Sequence, residues 1–525
     1  METERVLGID LGTTNSCAAV LIDGEVHVIP DEEGRRLQSS LVHFREDGSL
    51  VIGNMARAGL ISDPKNTIFS SKRLLGWPFD SIEAKQLRAQ FPYQVKQGER
   101  QSSLIEVHGE SYALPEIAAL IIHRMRDLAE RYLQGPVTRA VITVPANFND
   151  TQRQLTKLAG ELAGLDVLRI LNEPTAAALA YGYGRGLDAR LAIYDLGGGT
   201  FDLTLLQLDG NLFEVIGTAG DSYLGGDDFD QAIVQLILLF LKKQYQFTID
   251  ENPHLSGYFK QLAEQIKIGL TTYERLQIDE QIQLRHGEAL SPLKLAIGRD
   301  LLKKQCRELV ERSLKICEEA LSQGGIDARE IDDVILVGGS SRSPVIAEMV
   351  NQYFGRPALS DIDPDEVVAI GAAIQGSLLA TNFSESYTMI QPLLLDVTPS
   401  SLGVLTVEDI IEPLIPRNTT VPCQHTRTFT TTSDLQESVK IQIFQGESRF
   451  AGGNVKLGEV ELCGLRPAAR GDVSIDVTFE IDTDGILCVT AKDNETGLMQ
   501  EARVQVSAGY SQDTVEGMRR PQRGA

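Results

Sequence analysis

Residues 6–14 read VLGIDLGTT and residues 191–202 read LAIYDLGGGTFD. In both, an apolar run ends in Asp-Leu-Gly, small residues follow, and threonine comes next. Asp23-Gly24 lies downstream of the first stretch and Asp209-Gly210 downstream of the second, each pair flanked by apolar residues. Each copy therefore predicts a strand, a tight glycine turn, a second strand, a second turn and a third strand. A chain that writes this unit twice predicts duplicated α/β units, and such a duplicated meander can place its two glycine turns facing each other across a cleft.

Glycine turns let backbone N–H groups approach an anion closely, which suits Gly12, Gly197, Gly198 and Gly199 to phosphate. Asp10 and Asp195, which begin the turns, would repel phosphate and instead fit a hard cation such as magnesium that bridges to phosphate oxygens. One Asp-Leu-Gly-Gly-Gly alone is often a simple hairpin turn; two copies in matched strand context carry more. In ILVGGSSRSP (335–344) an apolar strand runs through Gly338-Gly339 into a helix start, a further place where backbone donors could meet a nucleotide. DPDEVVAIGAAIQG (363–376) predicts a helix with Asp363 as N-cap, Pro364 at its first position and Glu366 closing a capping box. ILNEPTAAALAYG (170–182) predicts another Pro-led helix, with Glu173 either favouring the helix dipole or orienting water in a phosphate cleft.

A chain of 525 residues exceeds a single core and predicts several domains. Its net charge of -24 opposes a general nucleic-acid or anionic-membrane surface. The six cysteines are dispersed without Cys-x-x-Cys and read as reduced core thiols, Cys306 and Cys317 sharing one helix face. The run AIVQLILLFL (232–241) is shorter than the roughly 20 residues of a membrane span, and no signal peptide is read, so the expectation is a cytoplasmic protein. To about residue 380, strands and helices alternate, the α/β pattern. From about 397 the texture becomes β-branched alternation: Val473, Ile475, Val477, Phe479 and Ile481, a turn at Asp484-Gly485, then Leu487, Val489 and Ala491. That predicts an antiparallel sandwich. Between the two textures, Leu393, Leu394 and Leu395 are either its first strand or an apolar linker that docks in one state and is released in another.

GIDLGTTNSC, VITVPANFNDTQRQ, ILNEPTAAALAYG, YDLGGGTFD, GDSYLGGDDFD, LVGGSSR and PLLLDVTP make the chain resemble the DnaK-type chaperones of the heat shock protein 70 family, from residue 5 to about 510. The resemblance implies an α/β actin-like ATPase domain of two duplicated lobes (1–383), an interdomain linker (384–396), an all-β sandwich that binds extended apolar peptide (397–509), and a short tail (510–525) where the family continues with a helical lid. It implies ATP and ADP as ligands, with magnesium and potassium. Position by position, Thr13, Thr14 and Asn15 would contact phosphate and Lys72 would stabilise the γ-phosphoryl. Asp10, Asp195 and Asp202 would surround magnesium, through water, and Glu173 and Thr200 would place the attacking water, as positioning catalysis requires. Glu264, Lys267 and Thr271, with Gly339, Ser340, Arg342 and Asp365, match the adenosine pocket; Thr271 stands where serine is usual.

The resemblance also implies coupling. Pro145 and Arg153 match the switch that carries the ATP state to the surface, while Arg169, Asn172 and Asp396 match the dock for a J-domain co-chaperone; a nucleotide-exchange factor is a further implied partner. Pro392 stands where the linker usually begins with an aliphatic residue. Val404, Phe429, Val439 and Ile441 match peptide-pocket positions and Val407 with Thr432 the arch over the peptide, Val407 replacing methionine. Taken singly, each apolar member reads equally as sandwich core. Burying one leucine yields roughly 1.5–3 kcal/mol against about 1–2 kcal/mol for ordering each peptide residue. Strand-like backbone hydrogen bonds must therefore contribute, for an affinity of about micromolar. The absent lid predicts faster peptide release than in a lidded relative.

EGRRLQSSLVHF, PYQV (92–95) and FGRPALSDIDPDEVVAIGAAIQ are closer to the HscA branch, which serves iron–sulphur cluster assembly on a scaffold protein. The alternatives are a general folding chaperone, a sugar-kinase-like or actin-like ATPase, which would lack PLLLD and the sandwich, and a non-hydrolysing interaction module, against which Lys72 and Glu173 speak.

Overall fold

The computed structural model describes residues 5–252, 254–285, 287–359, 363–381, 391–497, 499–503, 510 and 512–518. Val6–Asp10, Asn15–Ile22 and Glu25–Val28 form consecutive antiparallel strands, and Leu187–Leu196, Phe201–Gly210 and Leu212–Asp221 repeat them. In each copy the first strand also pairs in parallel with a later one, Arg139–Val144 in the first and Asp333–Val337 in the second. Asp23 and Gly24 both take positive φ, +50° and +87°, the conformation a two-residue hairpin turn demands. Helices cover both faces of these sheets, so strand residues such as Leu191, Ala192, Ile193 and Tyr194 are all buried instead of alternating.

Small residues let the two units approach. Helices Glu173–Gly182 and Val367–Thr381 cross between the sheets within one shared core. A Cβ on Gly371 would stand 1.8 Å from the Ala176 carbonyl oxygen, and one on Gly8 2.2 Å from the Ala373 nitrogen. A side chain at Gly371 would force the two helices apart, and one at Gly8 would lift the second helix off the first strand.

The C-terminal texture forms two four-stranded antiparallel sheets. One contains Leu402–Leu405, Ile411–Ile415, Ser438–Gln445 and Val455–Cys463; the other contains Cys423–Thr430, Ser474–Ile481, Leu487–Asp493 and Met499–Arg503. The alternating residues Val473 to Ile481 and Leu487 to Ala491 fill the space between them.

The leucine run forms a strand shared between the second unit and the sandwich. Leu393–Val397 is a single strand whose first three residues pair in parallel with Leu212, Phe213 and Glu214 of the second unit. Its last two, Asp396 and Val397, pair with Val421 and Thr420 of the sandwich. Leu394 is 8% exposed, Leu393 58%. The expected boundary at 383/384, residues 384–390 of the expected linker and the boundary residue 509 lie outside the described residues.

Two local expectations need correction. Asp363 does not open a helix at Pro364: its carboxylate is drawn to the Arg342 guanidinium and the Asp365 N–H, the helix starts at Val367, and Glu366 pairs with Arg36 instead of closing a capping box. Both bonds to the Asp363 carboxylate are charge-assisted, and they hold a turn ahead of the helix in which the Glu366 and Val367 N–H groups donate to the Asp363 carbonyl. Cys306 falls at the break between helices Arg299–Gln305 and Arg307–Gly324, so it does not share a helix with Cys317, although both are buried. The expected tail contains a helix, Gln512–Met518, and Tyr510, Val515 and Met518 pack into the core of the first unit. Among the described residues, no helix is long and apolar enough to cross a membrane.

Candidate functional site

The two glycine turns meet. A Cβ on Gly198 would lie 1.9 Å from Thr14 Oγ1, and one on Gly199 2.8 Å from Thr13 Cγ2. Each turn is held from behind by its carbonyls. In the first, Ser40 donates from its hydroxyl to the Gly12 oxygen (2.7 Å) and from its N–H to the Thr14 oxygen (2.8 Å). In the second, the Gly226 and Asp227 N–H groups donate to the Gly197 and Gly198 oxygens (2.9 and 2.7 Å), and Ser340 Oγ donates to the Gly197 oxygen at 3.0 Å.

Between the turns opens a cleft of about 1250 Å³. Its walls bring together Asp10, Gly12, Thr13, Thr14, Asn15, Lys72, Glu173, Asp195, Gly197, Gly198, Thr200, Glu264, Lys267, Gly338, Gly339, Ser340, Arg342 and Asp365. Three expected residues are not on the lining. Gly199 packs under Gly225, whose Cβ would come within 2.5 Å of it. Asp202 is buried beside Gly220 and Asn147. Thr271 lies one turn beyond Lys267 and returns its hydroxyl to the Ile268 carbonyl (2.7 Å). Leu37, Ile268, Val337 and Val368 add apolar surface that the motifs did not signal, near the positions expected to hold the base.

Around the cleft floor, the carboxylates of Asp10, Glu173, Asp195 and Asp202 outnumber the cation of Lys72. Lys72 Nζ donates to Glu173 Oε1 (3.0 Å) and to the Leu11 carbonyl (2.6 Å). Burial, then repulsion from Glu173, pushes Asp10 up to about 7 and raises Asp195 and Asp202 well above the carboxylate range, with Lys72 opposing the shift in each. Asp202 accepts a hydrogen bond from the Asn147 backbone N–H, yet its Oδ1 is buried without a partner. Among the described residues, no three His, Cys, Asp or Glu side chains converge closely enough to hold a metal directly. This donor set fits a hydrated magnesium ion whose remaining ligands are water and phosphate oxygens.

Sequence reasoning missed the ties that close the cleft. Arg57 of the first unit pairs with Glu264 of the second at 3.1 Å. Ser70 Oγ donates to Asp227 Oδ2 at 2.6 Å, and Arg73 pairs with Asp228 at 3.2 Å. Burial pushes Asp227 up, but Lys260 and Arg73 outweigh it and hold the carboxyl at about 2. Only the opposite signs of widely separated charges hinted at these pairs, and a sequence does not say which charges meet.

The expected coupling residues gather at the seam with the sandwich. Arg153 donates from Nε and Nη2 to the Phe148 and Ala146 carbonyls (3.2 and 3.1 Å), within the turn that begins at Pro145, and from Nη1 to the Asp484 carbonyl (3.4 Å). Asp484, from the predicted Asp-Gly hairpin turn, also accepts from Lys157 Nζ (2.6 Å) and the Ile170 N–H (3.2 Å). Arg169 donates to the Thr483 carbonyl (3.5 Å), Asn172 Oδ1 accepts from Arg153 (2.7 Å), and Asp396 Oδ1 accepts from Thr175 (2.6 Å). In the sandwich, Val404 and Ile441 belong to the core, Phe429 and Val439 pack against it half-buried, and Val407 and Thr432 are exposed.

The sequence was compared with models of known protein families. The model described as Hsp70 protein matches residues 6–524.

Proposed function

The chain belongs to the Hsp70 family, whose members are ATPases acting as ATP-dependent chaperones on client polypeptides with J-domain co-chaperones, and on that premise we propose how its own residues divide the work. Residues 1–383 hold and cleave ATP, 384–396 link, 397–509 grip extended apolar peptide through Val404, Val407, Phe429, Thr432, Val439 and Ile441, and 510–525 form a tail. The glycine turns with Thr13, Thr14 and Asn15 bind the phosphates. Magnesium, held through water by Asp10, Asp195 and Asp202, would supply charge neutralisation at those phosphates. Lys72 stabilises the transferring phosphoryl group, and Glu173, oriented by its pair with Lys72, places the attacking water with Thr200. These are positioning and electrostatic roles, which carry most phosphoryl transfer. Glu264, Lys267 and Arg342 flank the adenosine.

Coupling runs through one short segment. The Pro145–Asn149 turn presents the Asn147 N–H to Asp202 on one side, and on the other its carbonyls are held by Arg153, which also holds Asp484 of the sandwich. The observation that carries this reading is that hinge: three residues separate the carboxylate of the cleavage site from the sandwich turn. Client specificity follows the HscA-like stretches, so an iron–sulphur scaffold protein in the cytoplasm is the proposed client, with potassium as a further ion.

Single-turnover ATP hydrolysis, with and without a J-domain protein and a peptide panel, tests this. Stimulation by one scaffold peptide supports the specialised role, and stimulation by apolar peptides in general replaces it with a folding chaperone. Hydrolysis indifferent to every peptide overturns the coupling.

A further inference from the structure

Ser40 does not line the cleft; it stands behind the first glycine turn. Its hydroxyl gives its proton to the Gly12 carbonyl at 2.7 Å, so the fully buried Ser16 hydroxyl, 3.0 Å away, donates to Ser40 in turn. The Ser40 N–H donates to the Thr14 carbonyl at 2.8 Å. One residue thereby holds a carbonyl at each end of Gly12-Thr13-Thr14. In a planar trans peptide the C=O and the following N–H point opposite ways, so this grip turns the Thr13 and Asn15 N–H groups away from Ser40. Ser39 reaches towards the other unit. Strand Leu37–Ser39 pairs antiparallel with the start of Asn15–Ile22, Ser39 opposite Asn15. The Ser39 N–H and hydroxyl donate to Asn54 Oδ1 (3.0 and 2.9 Å), and its Oγ accepts from Arg57 Nε at 2.7 Å. Arg57 Nη1 then donates to Glu264, which stands on the cleft wall.

We propose that Ser39 and Ser40 form a positioning relay between the first phosphate turn and the closure of the cleft. Ser40 fixes the turn for phosphate, and Ser39 passes the position of the same segment through Arg57 to Glu264, so that filling the turn and closing the cleft favour one another. Neither serine touches the nucleotide; each acts through the group it holds. Ser16, Ser39 and Ser40 are all buried, so a hydroxyl removed there leaves its partners unpaired. The relay rests on the nucleotide reading of the cleft proposed above and deepens it.

ATP and adenosine share base and ribose and differ in the phosphates, so comparing them isolates the turn. Their dissociation constants are measured by calorimetry on the full chain with magnesium, for wild type, Ser40→Ala and Ser39→Ala. Ser40→Ala is expected to bind ATP at least about tenfold more weakly and adenosine within about twofold of wild type. In Ser39→Ala the loss for ATP should exceed the loss for adenosine by about threefold or more. Retained adenosine binding shows that both variants are folded. Equal weakening of ATP and adenosine overturns the relay and leaves two serines that only support the fold, and unchanged ATP affinity in Ser40→Ala overturns its hold on the turn. ATP weakened by Ser40→Ala but not by Ser39→Ala overturns the link to Glu264. Wild type that binds ATP no more tightly than adenosine overturns instead the phosphate reading of the turns.

Discussion

In the first hairpin Asp10 stands opposite Cys17 across the strand pair; in the second Asp195 stands opposite Asp202. The backbone repeats and the register repeats, but the charge does not. Burial, with the nearby Asp10 carboxylate, pushes the Cys17 thiol well up and keeps it neutral, so the first copy offers one carboxylate and the second two. Lys72, reaching the first turn's Leu11 carbonyl while pairing with Glu173, compensates the excess. In the proposed reading, duplication supplies a symmetric grip for phosphate and the asymmetric positions give the chemistry its direction.

The largest effect should come from erasing that asymmetry. Asp202→Asn should lower single-turnover hydrolysis by about 10²–10³-fold with ATP affinity little changed, while Cys17→Ser at the matching position should stay within about threefold. Equal losses would mean that the two copies share the chemistry. Next, Gly198→Ala tests the symmetric part. Its Cβ would meet Thr14 Oγ1 at 1.9 Å, and overpacking of this kind costs about 1–3 kcal/mol, so the Kd for ATP by calorimetry should rise roughly 10–100-fold. An unchanged Kd would show that the turns need not touch to bind.

The same contrast between the units extends to the seam. The sandwich turn at Asp484 docks on the first unit and the leucine strand on the second. Asp484→Ala removes the acceptor of Lys157 Nζ and the Ile170 N–H, a loss of about 2 kcal/mol. Docking of the sandwich, read by the emission of Trp77, which lines the seam, should weaken about thirtyfold. Docking that survives would place the burden on the leucine strand alone.

The hairpin repeat, the sandwich alternation and the small-residue helices were legible because each depends on local spacing: period two, turn glycines, or residues that cannot separate two backbones. The cleft lining was legible where its residues stand in contiguous motifs, as at Gly12–Asn15 and Gly197-Gly198. Ser40, Arg73 with Asp228, and Arg57 with Glu264 were not, since each lies far in sequence from what it touches and its residue type is ordinary for a surface. Asp363 misled because its neighbours predict a cap, while Arg342, which takes its carboxylate, lies outside the motif. The leucine strand stayed ambiguous because its pairing is divided between two domains, and local spacing does not say which domain a strand joins.

The smallest predicted effect separates the two halves of the seam by pH. Asp150 opens helix Asp150–Leu162 and is buried under the sandwich, its Oδ1 accepting the Leu487 N–H at 2.7 Å and its Oδ2 the Gln154 amide at 2.5 Å. Burial pushes its carboxyl up to about 7; Leu487, Gln154 and Arg153 pull it down, and Asp482 adds to the rise. Undocked, Asp150 would sit at an open helix N-terminus, where the charged form is favoured and the pKa is ordinary. The docked state therefore holds the proton more tightly. Its advantage is complete below the undocked pKa and is lost as pH rises through about 7. From pH 8 to pH 6 the docking constant should rise roughly tenfold, measured by Trp77 emission with ATP. Asp150→Asn keeps an acceptor for Leu487 and should flatten the curve to the shallower slope that Asp482, itself raised by burial, contributes. Docking that weakens on acidification would contradict the sign and move the titrating group to the leucine-strand side of the seam.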